Sequence, residues 1–214
     1  ARVVVLGIHN VGKSTLINQI LKKKIAITSS KAQTTRNIIL GVYNDDDSQI
    51  VFVDTPGIHK PNHKLGKYLN KQAYYSIDDV DVILMLIDVS TGLGKGDKFI
   101  LERLKDIKKP VILVMNKVDK MNRLDVLPLI EEYKDLYNFD EIVPISAYKK
   151  DNVDRLISVL KSKLTDSIKY YDDETWTNVS TRFLISELIR EKILELTDEE
   201  VDAVQGVQNL MKEF

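Results

Sequence analysis

An apolar run, Val3–Leu6, leads directly into Gly7-Ile8-His9-Asn10-Val11-Gly12-Lys13-Ser14, with Thr15 next. These residues fit the pattern G-x-x-x-x-G-K-[ST], placed where a strand would end and a helix begin. The placement matters because the first N–H groups of a helix have no partner inside it and carry partial positive charge. Wrapped in a glycine-rich turn, they make a cradle for an anion. The glycines let the backbone close round a β-phosphate, Lys13 can neutralise β and γ oxygens, and the Ser14 hydroxyl can ligate Mg²⁺. A turn that merely joined strand to helix would have no use for a Lys-Ser pair at its end. The loop implies a parallel sheet covered by helices, so the expected fold class is α/β, of the P-loop NTPase type.

The rest of the chain supplies such a sheet. Apolar runs at Val3–Leu6, Ile50–Val53, Val82–Ile87, Val111–Met115 and Ile142–Pro144 are short and largely β-branched, as strands buried on both faces are. Helical patterns at about Lys13–Leu21, Gly66–Ser76, Lys95–Lys105, Leu124–Leu136 and Val153–Lys163 alternate with them. Ile38–Tyr43, a polar turn at 44–48 and Gln49–Val53 read as a hairpin. The expected architecture is a doubly wound, mostly parallel six-stranded sheet with one antiparallel edge strand. From Thr165 to Thr177 the periodicity is lost, and Tyr170-Tyr171-Asp172-Asp173-Glu174 reads as linker. Beyond it Ile185, Ile189 and Ile193 recur at four-residue spacing beside Leu184 and Leu188, an amphipathic helix that opens a second unit. The expected division is a nucleotide domain over 1–168, a linker over 169–180 and an incomplete second domain over 181–214.

Two further loops follow strands. Asp54-Thr55-Pro56-Gly57 fits D-x-x-G, in which Asp54 holds Mg²⁺ through water and Gly57 offers its N–H to a γ-phosphate. Asn116-Lys117-Val118-Asp119 fits N-K-x-D. A buried Asp119 can accept from the ring N–H and the exocyclic amine of guanine; adenine lacks that donor pair and would leave the carboxylate unpaired. Lys117 is expected to pack over the base and Asn116 to tie this loop to the phosphate loop. Ser146-Ala147, after the last apolar run, offers a backbone N–H to the guanine oxygen. The base loops oppose a P-loop kinase or ATPase.

Composition narrows the alternatives. There are no cysteines and three histidines, which removes thiolate metal sites and leaves Mg²⁺ on oxygen ligands as the expected metal. A net charge of −1 gives no global argument for nucleic acid. No run approaches the roughly 18 apolar residues of a membrane span, so the chain is expected to be cytoplasmic. It opens Ala1-Arg2-Val3 without a charged-then-apolar leader and reads as a trimmed start.

These elements stand in the order and spacing of the translation-factor-like GTPases. More narrowly, Ile27-Thr28-Ser29-Ser30-Lys31-Ala32-Gln33-Thr34-Thr35-Arg36, Val53–His59, Ile142–Ala147 and Thr181–Lys192 resemble the Era family of bacterial ribosome-assembly GTPases. The resemblance implies slow hydrolysis of GTP to GDP, and binding of small-subunit ribosomal RNA and the 30S subunit through a C-terminal KH domain. It also implies a monomer in the cytoplasm that associates peripherally with the inner face of the membrane. A reading from another class is a nucleotide-responsive RNA or ribosome module whose hydrolysis is incidental. Two departures stand out. The KH domain's G-x-x-G clamp is missing, since Gly206 stands alone, and Ile8-His9 replaces the family's Arg-Pro. This chain is therefore not expected to bind RNA as its family does, and Val201–Phe214 does not resemble what should follow the first KH helix.

For the reaction, the expected metal ligands are Ser14, Asp54 and a threonine of Thr34-Thr35, with Thr35 preferred. Lys13, Thr35, Gly57 and Asn10 are the expected catalytic set. Ile58 stands where small signalling GTPases place a water-orienting glutamine, and an isoleucine cannot hydrogen-bond a nucleophile. The resemblance implies that K⁺, held partly by Asn10, substitutes for a supplied arginine; the alternative is that Asn10 only shapes the turn. Lys31 and Arg36 are read as solvated loop charges, the alternative being an approach to phosphate or RNA. His59, Lys60, His63 and Lys64 form a basic cluster, either a partner surface or a solvated loop.

Overall fold

The computed structural model describes residues 1–28, 34–58, 64–164 and 169–196. The basic cluster at 59–63, Lys31 and the stretch 197–214, Gly206 included, lie outside them. In chain order the elements are β1 (Arg2–Leu6), α1 (Lys13–Leu21), β2 (Ile39–Asn44), β3 (Gln49–Asp54), α2 (Lys64–Asp78) and β4 (Val82–Asp88). They continue with α3 (Lys95–Leu104), β5 (Val111–Asn116), α4 (Arg123–Lys134), β6 (Glu141–Pro144), α5 (Val153–Ser162) and α6 (Thr181–Leu196). The six strands lie in the order β2-β3-β1-β4-β5-β6. All neighbours are parallel except β2 and β3, whose hairpin runs from Ile39 opposite Asp54 to Asn44 opposite Gln49. Every strand expected from sequence is present, with bounds within a residue or so.

The strands read as unbroken apolar runs because both faces are covered. Along β1, Val3 and Val5 enter one cluster with Leu16, Ile17, Leu156 and Leu160, from α1 and α5. Val4 and Leu6 enter the other, with Ala73, Ile77, Ile100 and Tyr133, from α2, α3 and α4. Period-two alternation thus sorts consecutive valines into two cores. Between β3 and β4 the strand order reverses about β1, and in open α/β sheets the crevice beyond the strands' carboxyl ends at such a reversal is where ligands bind. Among the described residues no helix is long and apolar enough to cross a membrane.

Two C-terminal features were not legible in the sequence. The stretch 169–180 is a strap bonded to the outer edge of the sheet. Val42 N donates to Trp176 O at 3.0 Å, Gly41 bridges Thr177, Thr177 Oγ1 donates to Leu40 O at 2.8 Å, and Leu40 N donates to Asn178 Oδ1 at 3.1 Å. Buried Gln49 fixes the strap's start, accepting from Tyr170 N (2.8 Å) and Tyr171 N (3.0 Å) and donating to Tyr171 O (2.8 Å). An open β-edge carries unpaired N–H and C=O groups, and the strap satisfies some of them.

Helix α6 forms where the sequence places it, and it meets the nucleotide domain with charged residues rather than with Ile185, Leu188 and Ile189. Glu187, Arg190, Glu191 and Leu194 are buried, while Ile185 is 54% exposed, Leu188 42% and Ile189 45%. The surface beneath α6 offers backbone polar groups and Lys24, which charged side chains can satisfy and isoleucines cannot. Of the second unit expected over 181–214, the described residues hold this helix.

Candidate functional site

The phosphate loop leaves β1 and turns sharply into α1. Gly12 adopts φ 98°, and a Cβ there would stand 2.3 Å from Asn116 Nδ2, so conformation and space both require glycine. Asn10 also has a positive φ of 62° and is exposed, as is His9. Val11 is buried and Ile8 packs against both cores. Lys13 is buried, and its Nζ donates to the carbonyls of Gly7 (3.2 Å) and Ile8 (2.8 Å). Burial, against the pull of Asp54, lowers its pKa to about 8. An ammonium held by two carbonyls in a dry loop is an incompletely neutralised charge, which an anion in the cradle would complete.

Three oxygens from three segments converge beside it. Ser14 Oγ donates to Asp54 Oδ2 at 2.8 Å and lies 3.1 Å from Thr35 Oγ1. Asp54 Oδ1 is buried without a hydrogen-bond partner, and burial, partly offset by Lys13 and the Ser14 hydroxyl, raises its pKa to about 6. Two hydroxyls and a desolvated carboxylate with an unsatisfied lone pair fit a hard divalent cation such as Mg²⁺, which keeps only a few protein ligands. Buried Thr55 fixes the following turn, its Oγ1 donating to Val5 O at 2.7 Å; Pro56 is buried beside it. Gly57 passes so close to the phosphate loop that a Cβ would lie 2.9 Å from the His9 backbone N. The side chain of Ile58 is fully buried in the core and its N donates to Gly7 O at 3.0 Å.

At the ends of β5 and β6 the second group of loops meets the first. Asn116 Nδ2 donates to Val11 O at 2.8 Å while its Oδ1 accepts from Ala147 N at 2.9 Å, joining three loops through one buried amide. Lys117, with φ 68°, donates to Asn10 O and to Asp88 Oδ2, both at 2.6 Å. Asp119 Oδ1 accepts from buried Ser146 Oγ at 2.5 Å. The sequence reading treats Asp119 as buried, whereas the structure places it exposed, because the single 3₁₀ turn Val118–Lys120 carries it to the rim.

A cavity of about 600 Å³ unites these parts; His9, Asn10, Gly12, Lys13, Ser14, Thr15, Ile27, Thr28, Thr34, Thr35, Gly57, Lys117 and Tyr148 line it. Asp54, Asn116, Asp119, Ser146 and Ala147 stand behind or beside that lining. Sequence reasoning missed Asp88, Tyr148 and the wall formed by Ile27 and Thr28. Asp88 had a signal, since it ends strand β4 on the rim where site residues gather. Burial would raise its pKa, but hydrogen bonds from Lys117 and Ser90 outweigh that and lower it.

Phosphate loop at the sheet's reversal, divalent-cation oxygens beside it and guanine-type base loops together define a P-loop GTPase. Residues 2–117 match the family described as 50S ribosome-binding GTPase. Among solved structures, the chain is 42% identical to Era in complex with MgGDPNP and nucleotides 1506-1542 of 16S ribosomal RNA, covering 94% of this chain and 68% of that one at a TM-score of 0.89. The same figures hold for a tyrosine-to-alanine variant of Aquifex aeolicus Era bound to GDP and AlF4⁻. Translation elongation factor SelB from Methanococcus maripaludis with a GTP analogue, 21% identical over 81% of this chain and 36% of that one at a TM-score of 0.61, shares the fold. The chain belongs to the Era family of GTPases, enzymes that hydrolyse GTP to GDP and phosphate.

Proposed function

We propose that this chain is a slow GTP-driven switch in assembly of the small ribosomal subunit, its nucleotide state governing contact with 16S ribosomal RNA. The observation that carries the reading is the convergence on one rim of Lys13, the Ser14–Thr35–Asp54 oxygens and the loop bearing Asn116 and Asp119. Relatives 42% identical hold a GTP analogue with a 16S fragment, or GDP with AlF4⁻, which supports nucleotide and RNA as partners of the full-length protein.

In this reading the backbone of Gly7 to Thr15 and Lys13 bind the phosphates. Ser14, Thr35 and, through water, Asp54 would hold Mg²⁺, which would supply charge neutralisation for the transferring phosphoryl group. Gly57 N–H meets the γ-phosphate, Asp119 accepts from guanine, and Ser146 and Ala147 close the base pocket. The chain's charges do the positioning and neutralisation that phosphoryl transfer requires. Ile58, sealed in the core, cannot orient the attacking water, so intrinsic turnover is on the order of 10⁻⁴ to 10⁻² per second. Asn10 would help hold K⁺, whose charge would raise that rate. The protein acts as a monomer in the cytoplasm and docks peripherally on the inner membrane face. In this reading α6 is the first helix of a KH domain whose G-x-x-G clamp this sequence lacks, so the RNA contact falls to the full-length protein.

GTP turnover in Mg²⁺ buffer, with Na⁺ replaced by K⁺ and with a 16S fragment added to full-length protein, tests this. Slow turnover that K⁺ raises, and RNA binding tighter with a GTP analogue than with GDP, are expected. RNA binding indifferent to the nucleotide would overturn the switch.

A further inference from the structure

Helix α6 grips two segments that line the phosphate cavity, and it does so with its charged residues. Glu191, 1% exposed, accepts from Thr28 N at 2.8 Å and from Thr28 Oγ1 at 3.2 Å, and pairs with Lys24. Arg190, 4% exposed, is clamped by Glu187 through two hydrogen bonds of 2.9 and 2.8 Å and donates from Nη2 to the carbonyl of Thr34. Thr28 and Thr34 both line the cavity. The Thr34 carbonyl belongs to the planar peptide that joins Thr34 to Thr35, so the guanidinium fixes the plane from which Thr35 departs. Thr35 in turn sets its hydroxyl 3.1 Å from Ser14 Oγ, which is bonded to Asp54.

The choice of buried face is unfavourable for stability alone. Desolvating a guanidinium and two carboxylates is costly and the pairing only offsets that cost, whereas burying Ile185, Leu188 and Ile189 would be favourable. The charged groups gain something isoleucines cannot supply: directional bonds to named backbone atoms of the site.

We propose that Arg190 and Glu191 are positioning residues for the GTP-bound state, holding Thr34 and Thr28 so that Thr35 presents its hydroxyl beside Ser14 and Asp54. The inference rests on the guanine-nucleotide reading above. It requires that the grip favour the triphosphate over the diphosphate, since in that reading Thr35 would join the Mg²⁺ site only when a γ-phosphate is present.

The test compares the affinities of fluorescent GDP and a non-hydrolysable GTP analogue for wild type, Arg190→Lys, Glu191→Gln and Ile189→Ala, all in the whole chain with Mg²⁺. Lysine keeps the charge but loses the fork that spans Glu187 and Thr34; glutamine keeps the shape of Glu191. Loss of a charge-assisted bond at this point weakens the GTP analogue by about tenfold or more. GDP affinity stays within about twofold, which also reports that the variants fold, and Ile189→Ala on the exposed face changes neither. An unchanged analogue-to-GDP ratio in both Arg190→Lys and Glu191→Gln overturns the inference alone. Wild type that binds neither nucleotide overturns the guanine-nucleotide reading itself, and this inference with it.

Discussion

At the scale of the residue, the site is built on positions where a single atom decides. Gly12 combines φ 98° with an approach of 2.3 Å between its notional Cβ and Asn116 Nδ2. Gly12→Ala must adopt a left-handed conformation, costing about 1–2 kcal/mol, and must also push Asn116 off Val11 O and Ala147 N. Urea unfolding should show a loss of at least that size, with GDP affinity reduced as the loops part; a variant as stable as wild type would mean the loop has another conformation available. Lys13, Ser14, Asp54 and Asn116 were legible from the motifs because the chemistry of phosphate and base dictates residue type and spacing. Asp119's exposure was not, since the motif says what the carboxylate contacts and nothing of whether protein or ligand covers it. Asp88 escaped because one carboxylate at a strand end is a common sight in sequence; its bond to Lys117 exists only once β4 and β5 are paired.

At the scale of the element, period and apolarity located the strands, because a sheet covered on both faces leaves no other place for runs such as Val111–Met115. The same pattern located α6 but not its contacts. Ile185, Leu188 and Ile189 mark an apolar face, but periodicity does not say which neighbour that face meets, and Glu191 and Arg190 took the contact with the nucleotide domain. The strap at 169–180 was read as linker because its order comes from hydrogen bonds to β2 and to Gln49, which leave no hydrophobic period. Gln49→Ala removes the acceptor for two strap N–H groups and the donor to Tyr171 O, and should cost on the order of 1–3 kcal/mol. Faster proteolysis between 169 and 178 should accompany it, and an unchanged cleavage rate would show that the edge pairing at Gly41 and Val42 holds the strap unaided. For α6 the sensitive variable is pH. Burial alone would raise the pKa of Glu191, yet hydrogen bonds from Lys24 and Thr28 hold it below its ordinary 4.5. A carboxyl whose folded pKa is depressed stabilises above the unfolded value and loses that contribution as pH falls through the folded one. The stability difference between wild type and Glu191→Gln should therefore be constant near neutrality and shrink below about pH 4.5; a difference independent of pH would assign Glu191 a packing role only.

At the scale of the whole molecule, the account is that one rim of a parallel sheet gathers loops from β1, β3, β5 and β6 into a guanine-nucleotide site, which a C-terminal helix grips through Thr28 and Thr34. Family membership makes the chain a GTPase, and the base loop makes the specificity claim residue by residue. That claim turns on Asp119, an exposed carboxylate supported by Ser146. The most direct measurement is titration of the nucleotide-free chain with GDP and with ADP in Mg²⁺ buffer, for wild type and Asp119→Ala. The account predicts that wild type binds GDP at least about a hundredfold more tightly than ADP, and that the substitution erases the preference by removing the acceptor for guanine's two donors. Equal binding of GDP and ADP by wild type, or a preference that survives Asp119→Ala, would contradict it.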